Sequence, residues 1–354
     1  MHTEKMMNYV KTAGADALLL LDEADMHYVC GFSPSEGMIL VTPTAVFQLV
    51  DSRYTETARL HAMDTGVQVT EITTGFWDEL DALLAKIDCK ILLFEDRTIA
   101  YRQYTQLQGI FSGELRPVGN GVMDLRNVKE PWEIDLMKTA NRIAEKAFLE
   151  LLNDVKPGKT EKELAARFDY LMALGGSDGV SFDTILLTGA HTSMPHGVPE
   201  NREVQKGDFV LFDFGATYRG YHSDMTRTVA VGHVTEEMET VYNTVLKAQL
   251  AGIAAAKADV TGAAVDGAAR QVIADAGYGP YFGHSFGHSV GVEIHENPNA
   301  TPSNSKPLPA GAVISAEPGI YLPGKLGVRI EDVILLTGDG CKNLTKAPKE
   351  LIIL

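Results

Sequence analysis

The sequence is short of cysteine, of positive charge and of long apolar runs, and each shortage removes a class of protein. Only three cysteines occur, Cys30, Cys89 and Cys341. They lie far apart, odd in number and outside any CxxC pair, so they encode neither a disulfide framework nor a thiolate zinc site. They are expected to pack as small buried hydrophobes. Lysine and arginine total 31 against 47 aspartates and glutamates, a formal net charge of −16. That balance argues against nucleic acid and anionic membrane as partners. No apolar run approaches the length of a membrane span. Glu4, Lys5 and Lys11 precede the short apolar run 17–21, so the N-terminus does not read as a signal peptide. A protein of the reducing cytoplasm is the expectation.

What is present is ordinary for a globular protein, with 45% hydrophobic and 22% charged residues. A chain of 354 residues is long enough for two domains with separate cores. Up to about residue 120, strand-like and helical patterns alternate. Segments 17–21, 38–42, 46–50, 67–72 and 91–94 predict strands, and 51–62, 76–87 and 99–110 predict helices. This is the pattern of an α/β layer domain. Gly119, Asn120 and Gly121 break it, placing a boundary within 119–127 and giving domains 1–122 and 127–354.

Pro131 then opens a long helix in which Ile134, Met137, Ala144, Phe148 and Leu151 keep helical spacing. Thr160 and Glu163 form a capping box for a second helix. Strands follow after Gly175. The second half repeats the plan, with helices over 236–257 and 263–276 and then strands. Two helix–helix–sheet halves imply a site between them, although identity between the halves is too weak to read as a repeat.

The chain is organised around residues 206–227, KGDFVLFDFGATYRGYHSDMTR, which predict one β-hairpin. Val210, Phe212 and Phe214 alternate with Leu211 and Asp213, and Gly220 serves the turn. His222, Asp224 and Thr226 share a face of the return strand. A turn centred between Tyr218 and Arg219 would set Asp213 directly opposite Asp224, with Cβ atoms about 5 Å apart. Carboxylates that close require a proton or a cation between them. Taken alone, the hairpin reads more simply as a solvated turn with two unrelated acids.

The downstream sequence changes that balance. His288 lies in GHSFGHSVGVEIHE (283–296), Glu317 in ISAEPG and Glu331 in GVRIED, with Arg329 two positions before it. Two Asp, one His and two Glu make an oxygen-rich set suited to Mn²⁺, Co²⁺, Fe²⁺ or Zn²⁺, and four carboxylates can neutralise two such ions. His284 and His288 have the HxxxH spacing of a helical zinc site, but Gly283, Gly287 and Gly291 disfavour a helix and favour close backbone packing.

In this order and spacing the motifs resemble the pita-bread metallopeptidases: methionine aminopeptidases, aminopeptidases P and Xaa-Pro dipeptidases. The resemblance covers residue 127 to the end. The segments MHYVCGF (26–32) and LVDSRYTETA (49–58) resemble the creatinase/prolidase-type N-terminal domain, which methionine aminopeptidases usually lack. For Asp51, Arg53 and Tyr54 themselves, helix capping and surface pairing is the simpler reading. The resemblance implies a two-domain α/β (α+β) protein with a pita-bread catalytic domain. It implies metal ligands Asp213, Asp224, His288, Glu317 and Glu331, and two divalent ions per chain, Mn²⁺ or Co²⁺ first and Zn²⁺ or Fe²⁺ next.

It further implies that His196, in the loop SMPHGVP, and His295 face the substrate and stabilise the reacting carbonyl or carry a proton. Glu317 is then the best general base, His284 lies on the substrate side or behind the ligands, and Arg329 orients a ligand carboxylate. The implied reaction is hydrolysis of short Xaa-Pro peptides at the N-terminus by a water shared between the ions. A homodimer whose N-terminal domains narrow the cleft is expected with it. Two other readings stand beside this one. A creatinase-like amidinohydrolase shares the two-domain plan without the metal set, and a binding protein on the same scaffold should have lost ligands.

Overall fold

All residues from Met1 to Leu354 are described by the structure, a computed structural model. The chain divides into two units, Met1–Leu125 and Arg126–Leu354.

The first unit contains α1 (Thr3–Thr12), β1 (Ala17–Leu20), α2 (Glu23–Cys30), β2 (Gly37–Val41), β3 (Val46–Val50), α3 (Thr55–Ala62), β4 (Gln68–Glu71), α4 (Phe76–Lys86), β5 (Ile91–Phe94), α5 (Tyr101–Ile110) and β6 (Glu114–Pro117); α6 (Gly121–Arg126) closes it. Its strands form one mixed sheet in the order β4-β3-β2-β1-β5-β6. The sequence Ala-Leu-Leu-Leu of β1 is buried throughout, as a central strand covered on both faces requires. Leu80, Leu84 and Leu107 of the helices pack on Leu19, Leu40 and Leu92 of the sheet.

The predicted strands and helices are present, with two helices starting late. Helix α5 begins at Tyr101, not at residue 99. Helix α3 begins at Thr55, not at residue 51. The Asp51 carboxylate accepts the Arg53 N–H at 2.9 Å, and the Asp51 carbonyl accepts the Thr55 hydroxyl at 2.9 Å, so residues 51–54 form a turn before the helix. Arg53 also pairs with Asp51 and Glu36 on the surface. Helix α2 is not announced by its sequence pattern. Its Asp25, Met26, Tyr28, Val29 and Cys30 are all buried, so no polar face sets off an apolar one. Cys30 and Cys89 are buried, whereas Cys341 is partly exposed, in the short edge strand β19 described below.

The second unit begins with α7 (Pro131–Leu151) and α8 (Glu161–Leu174), which pack together. The Thr160 hydroxyl accepts the Glu163 N–H at 3.2 Å and the Glu163 carboxylate accepts the Thr160 N–H at 2.9 Å, which is the capping box the sequence encodes. There follow β7 (Gly179–Val180), β8 (Ile185–Thr188), a 3₁₀ turn (Gly189–Ser193), β9 (Phe209–Phe214), β10 (Ala216–Tyr218), β11 (Tyr221–His222) and β12 (Met225–Ala230). A second helix pair, α9 (Glu236–Ala255) and α10 (Gly262–Asp275), precedes β13 (Gly287–Ser289), β14 (Glu296–Ala300), β15 (Val313–Ala316), β16 (Gly319–Leu322), β17 (Leu326–Arg329), β18 (Asp332–Leu336) and β19 (Cys341–Asn343). Strands β12-β9-β8 form one sheet and β14-β13-β15-β18-β19 another. Each helix pair covers its own core, Phe148 and Phe168 against Phe212 and Phe214 in the first half, Val241 and Val245 with Ile314 and Ile334 in the second. This is the pita-bread plan of two helix–helix–sheet halves.

The hairpin forms, but its register differs from the expected one. Tyr218 pairs with Tyr221 and Thr217 with His222, so the turn is centred between Arg219 and Gly220. Both turn residues have positive φ, +49° and +75°, as a two-residue primed turn requires. Asp213 therefore pairs with Thr226, and Asp224 is its diagonal neighbour on the same face. Gly215 stands across from Asp224, where a Cβ would come within 2.0 Å of the Ser223 carbonyl oxygen. His288 is on a strand, and Gly287 permits a close approach to the Ser315 carbonyl; Gly283, by contrast, has open space around it.

Candidate metal centre

Separate strand ends deliver the acids to one place. Asp213 lies near the end of β9, Asp224 leads into β12, Glu317 joins β15 to β16, Glu331 joins β17 to β18, and His288 is central in β13. Ligand atoms of Asp224, His288 and Glu331 lie within 4.8 Å of one another. His288 Nε2 is 3.5 Å from Asp224 Oδ2 and 3.3 Å from Glu317 Oε1. All five residues line one cavity of about 460 Å³, together with His196, His284, His295 and Arg329.

The electrostatics of this cavity are unbalanced. Burial, and then the charges of Asp213 and Glu317, push the Asp224 carboxyl well above the usual carboxylate range. Burial, and then Asp224, do the same to Glu331. Burial raises Glu317 to about 7, against the opposing pull of Arg329. Glu331 Oε2 accepts the Thr226 hydroxyl at 2.7 Å, but Glu331 Oε1 is buried with no hydrogen-bond partner. Burial lowers the pKa of His288, keeping its imidazole neutral and its nitrogen free to ligate. A buried carboxylate oxygen without a donor is costly, and so are acids that cannot all ionise together. A divalent cation relieves both, and a set of carboxylates with one imidazole suits such an ion. The residues present therefore fit a metal.

Arg329 on β17 spans the edge of the cavity. Its Nε donates to Thr226 Oγ1 at 3.0 Å, Nη1 to the Tyr321 hydroxyl at 2.7 Å, and Nη2 to Asp213 Oδ2. Burial opposes its charge, but Tyr321, Asp213 and Glu317 outweigh that and hold it protonated. His284 hydrogen-bonds the Ser285 carbonyl through Nδ1 at 2.9 Å and Tyr321 through Nε2 at 2.9 Å. The network assigns the proton to Nδ1, so the Tyr321 O–H donates to Nε2 while its oxygen accepts from Arg329. Burial, and then Arg329, lower the His284 pKa to about 4. His284 is thus joined to Asp213 through Tyr321 and Arg329.

His295 stacks edge-on against His288 with ring centroids 4.3 Å apart, and burial followed by the neighbouring His288 lowers its pKa. His196 is exposed, beyond the 3₁₀ turn Gly189–Ser193, and lines the same cavity. Sequence reasoning did not single out Tyr321, nor the apolar wall of Phe182, Ile185 and Ile294. Thr226 gave one signal, its shared strand face with Asp224. Tyr321 gave none, because it sits inside the apolar strand Gly-Ile-Tyr-Leu.

The chain has extensive similarity to known proteins. The pattern of metallopeptidase family M24 matches residues 135–338, and that of the creatinase/prolidase N-terminal domain matches residues 3–128. An Xaa-Pro dipeptidase of Pyrococcus horikoshii is 35% identical over 351 residues, covering 99% of this chain and 98% of that protein. The solved structure of an Xaa-Pro dipeptidase from Bacillus anthracis superposes with a TM-score of 0.95 at 37% identity, covering 100% of this chain and 99% of that one. That of an X-Pro aminopeptidase from Thermotoga maritima superposes with a TM-score of 0.93 at 36% identity, covering 98% and 100%. This chain belongs to metallopeptidase family M24 and carries the creatinase/prolidase type of N-terminal domain.

Proposed function

We propose that the chain is a metal-dependent peptidase that cleaves Xaa-Pro bonds at the N-terminus of short peptides. The observation that carries this reading is the buried Glu331 oxygen without a donor, converging with Asp224 and His288. The relatives named Xaa-Pro dipeptidase and X-Pro aminopeptidase support the bond specificity. A creatinase-like amidinohydrolase does without the metal set and a binding protein should have lost ligands, whereas Asp213, Asp224, His288, Glu317 and Glu331 are all present here.

Asp224, His288, Glu317 and Glu331 would hold one ion, and Asp213 with Asp224 and Glu331 a second. Mn²⁺ or Co²⁺ suits this set best, then Zn²⁺ or Fe²⁺. Such ions polarise a carbonyl and acidify water. Arg329 orients the Asp213 carboxylate through its Nη2 hydrogen bond. Glu317 accepts the proton of the attacking water and releases it toward the leaving nitrogen. His295 and His196 donate to the carbonyl oxygen as charge builds on it. Phe182, Ile185 and Ile294 present an apolar wall to the peptide, and a cavity of about 460 Å³ falls in the range of small-molecule sites (about 300–1,000 Å³).

The domains 1–122 and 127–354 are read as separate functional parts. The chain is read as a homodimer, the commonest closed assembly, working in a reducing compartment where its three cysteines stay free.

Hydrolysis of Xaa-Pro dipeptides and Xaa-Pro-Yaa peptides should be measured with each metal and after exhaustive chelation. Prolyl peptides should be cleaved and non-prolyl peptides of equal length should be poor substrates. His196→Ala and His295→Ala should keep their metal and lose about 10²–10³ in kcat. Full activity in the chelated protein overturns the proposal.

A further inference from the structure

Strands β13 and β14 are joined by a loop, residues 290–295, and closed by the pair Ser289 and Glu296. His288 and His295 are the immediate neighbours of that closing pair. Behind it lies Lys129, whose side chain is 1% exposed. Its Nζ donates to both members, to Ser289 Oγ at 3.2 Å and to Glu296 Oε2 at 2.8 Å. The Ser289 hydroxyl donates onward to the Val313 carbonyl at 2.7 Å. Glu296 Oε1 accepts the N–H groups of Val292 and Glu293 at 3.0 and 3.1 Å, so its carboxylate fills the inside of the loop. A Cβ on Gly291 would come within 2.4 Å of that carboxylate, which accounts for the glycine. Arg126 Nε lies 3.3 Å from Glu296 Oε1, and its guanidinium pairs with Glu293.

Buried charge clusters of this kind add little stability over apolar packing, because desolvation offsets the attraction. What they supply is direction, since each donor fixes the acceptor it meets. We propose that Lys129 is a positioning residue: by bonding both members of the Ser289–Glu296 pair, it sets His295 against His288 for the hydrolysis proposed above. The inference rests on that reading for its catalytic consequence and on the loop geometry for its structural one.

The test uses the full-length, metal-loaded chain. Lys129→Met should lower kcat for an Xaa-Pro dipeptide about 10–100-fold, with KM and metal content unchanged. In a His295→Ala background the same change should cost nothing further, because residues acting as one unit are not additive. The double variant Lys129→Met/Glu296→Gln removes the uncompensated charge. It should recover thermal stability without recovering kcat, and it carries the test if Lys129→Met fails to fold. In the metal-free chain, amide exchange at Val292 and Glu293 should quicken in either variant. Wild-type kcat in Lys129→Met, an undiminished penalty in the His295→Ala background, or kcat returning with stability in the double variant each overturns the proposal. A wild-type chain inactive on every prolyl peptide refutes the proposed function instead, and unchanged exchange in the metal-free variants then still refutes the clamp.

Discussion

Glu331 and Asp332 are consecutive, both acidic and both buried, at 1% and 0% exposure, yet their surroundings are opposite. Asp332 Oδ1 accepts Arg227 Nη2 at 2.8 Å, and Oδ2 accepts Gln249 Nε2 at 3.0 Å, Asn343 Nδ2 at 2.6 Å and the Lys349 ammonium. Burial works to raise its pKa, but Arg227 and Lys349 outweigh burial and hold it below the usual range. Arg227 continues to the carbonyls of Thr226, Glu331, Ala347 and Pro348, so this side ties the C-terminal segment to β12. Glu331, one residue earlier, has one oxygen on Thr226 and the other on nothing, with Asp224 beside it. A buried acid whose lone pairs are all used holds the fold. Glu331, with a bare oxygen and with ligand atoms of both Asp224 and His288 close by, is placed to take up a cation.

The comparison can be broken by mutating each side. Asp224→Ala or Glu331→Ala should abolish both metal retention and hydrolysis, as read by elemental analysis and peptide assay. In the metal-free chain Glu331→Gln should leave the melting temperature unchanged or raise it, since the cost of burying and neutralising this acid is removed. A clear loss of metal-free stability would mean that Glu331 is a structural acid like its neighbour. Asp332→Ala should instead unfold the second unit more easily, by about 3–5 kcal/mol in urea, because Arg227 is left buried without its partner. A change under about 1 kcal/mol would show that the ion pair is dispensable.

The smallest effect sharpens the contrast in the first unit. Glu95 is buried with Oε2 accepting the N–H groups of Leu21 and Asp22, at 2.6 and 3.0 Å. Burial, then the hydrogen bond and charge of Asp25, raise its pKa to about 9. Its folded pKa exceeds its unfolded one, so the unfolded chain loses this proton first. The contribution to stability is complete below about pH 4.5 and falls as pH rises toward about 9. Glu95→Gln should flatten the decline in urea midpoint between pH 5 and pH 9, and an unaltered slope would show that the pair does not hold the proton.

Much of this was legible in the sequence. The order and spacing of the motifs carried the resemblance to the pita-bread metallopeptidases, and that resemblance nominated Asp213, Asp224, His288, Glu317 and Glu331. Short continuous apolar runs marked the central strands of the first unit, and Pro131 and the Thr160–Glu163 box located the helix starts of the second. These signals are local, because strand faces, caps and turns depend on residues a few positions apart. The hairpin register was not legible. Sliding one strand by two residues keeps every side chain on its face, so alternation cannot distinguish Asp213 opposite Asp224 from Asp213 opposite Thr226. The left-handed pair Arg219–Gly220 decided it. Nor could the sequence reveal that Arg329 reaches Asp213 116 positions away, or Lys129 reaches Glu296 167 positions away. Which buried acid keeps a bare oxygen follows from every donor that folding brings near it. Glu331, in the link between β17 and β18, and Asp332, at the start of β18, meet different neighbours, and which donors each one finds is settled when the two halves of the second unit close on each other.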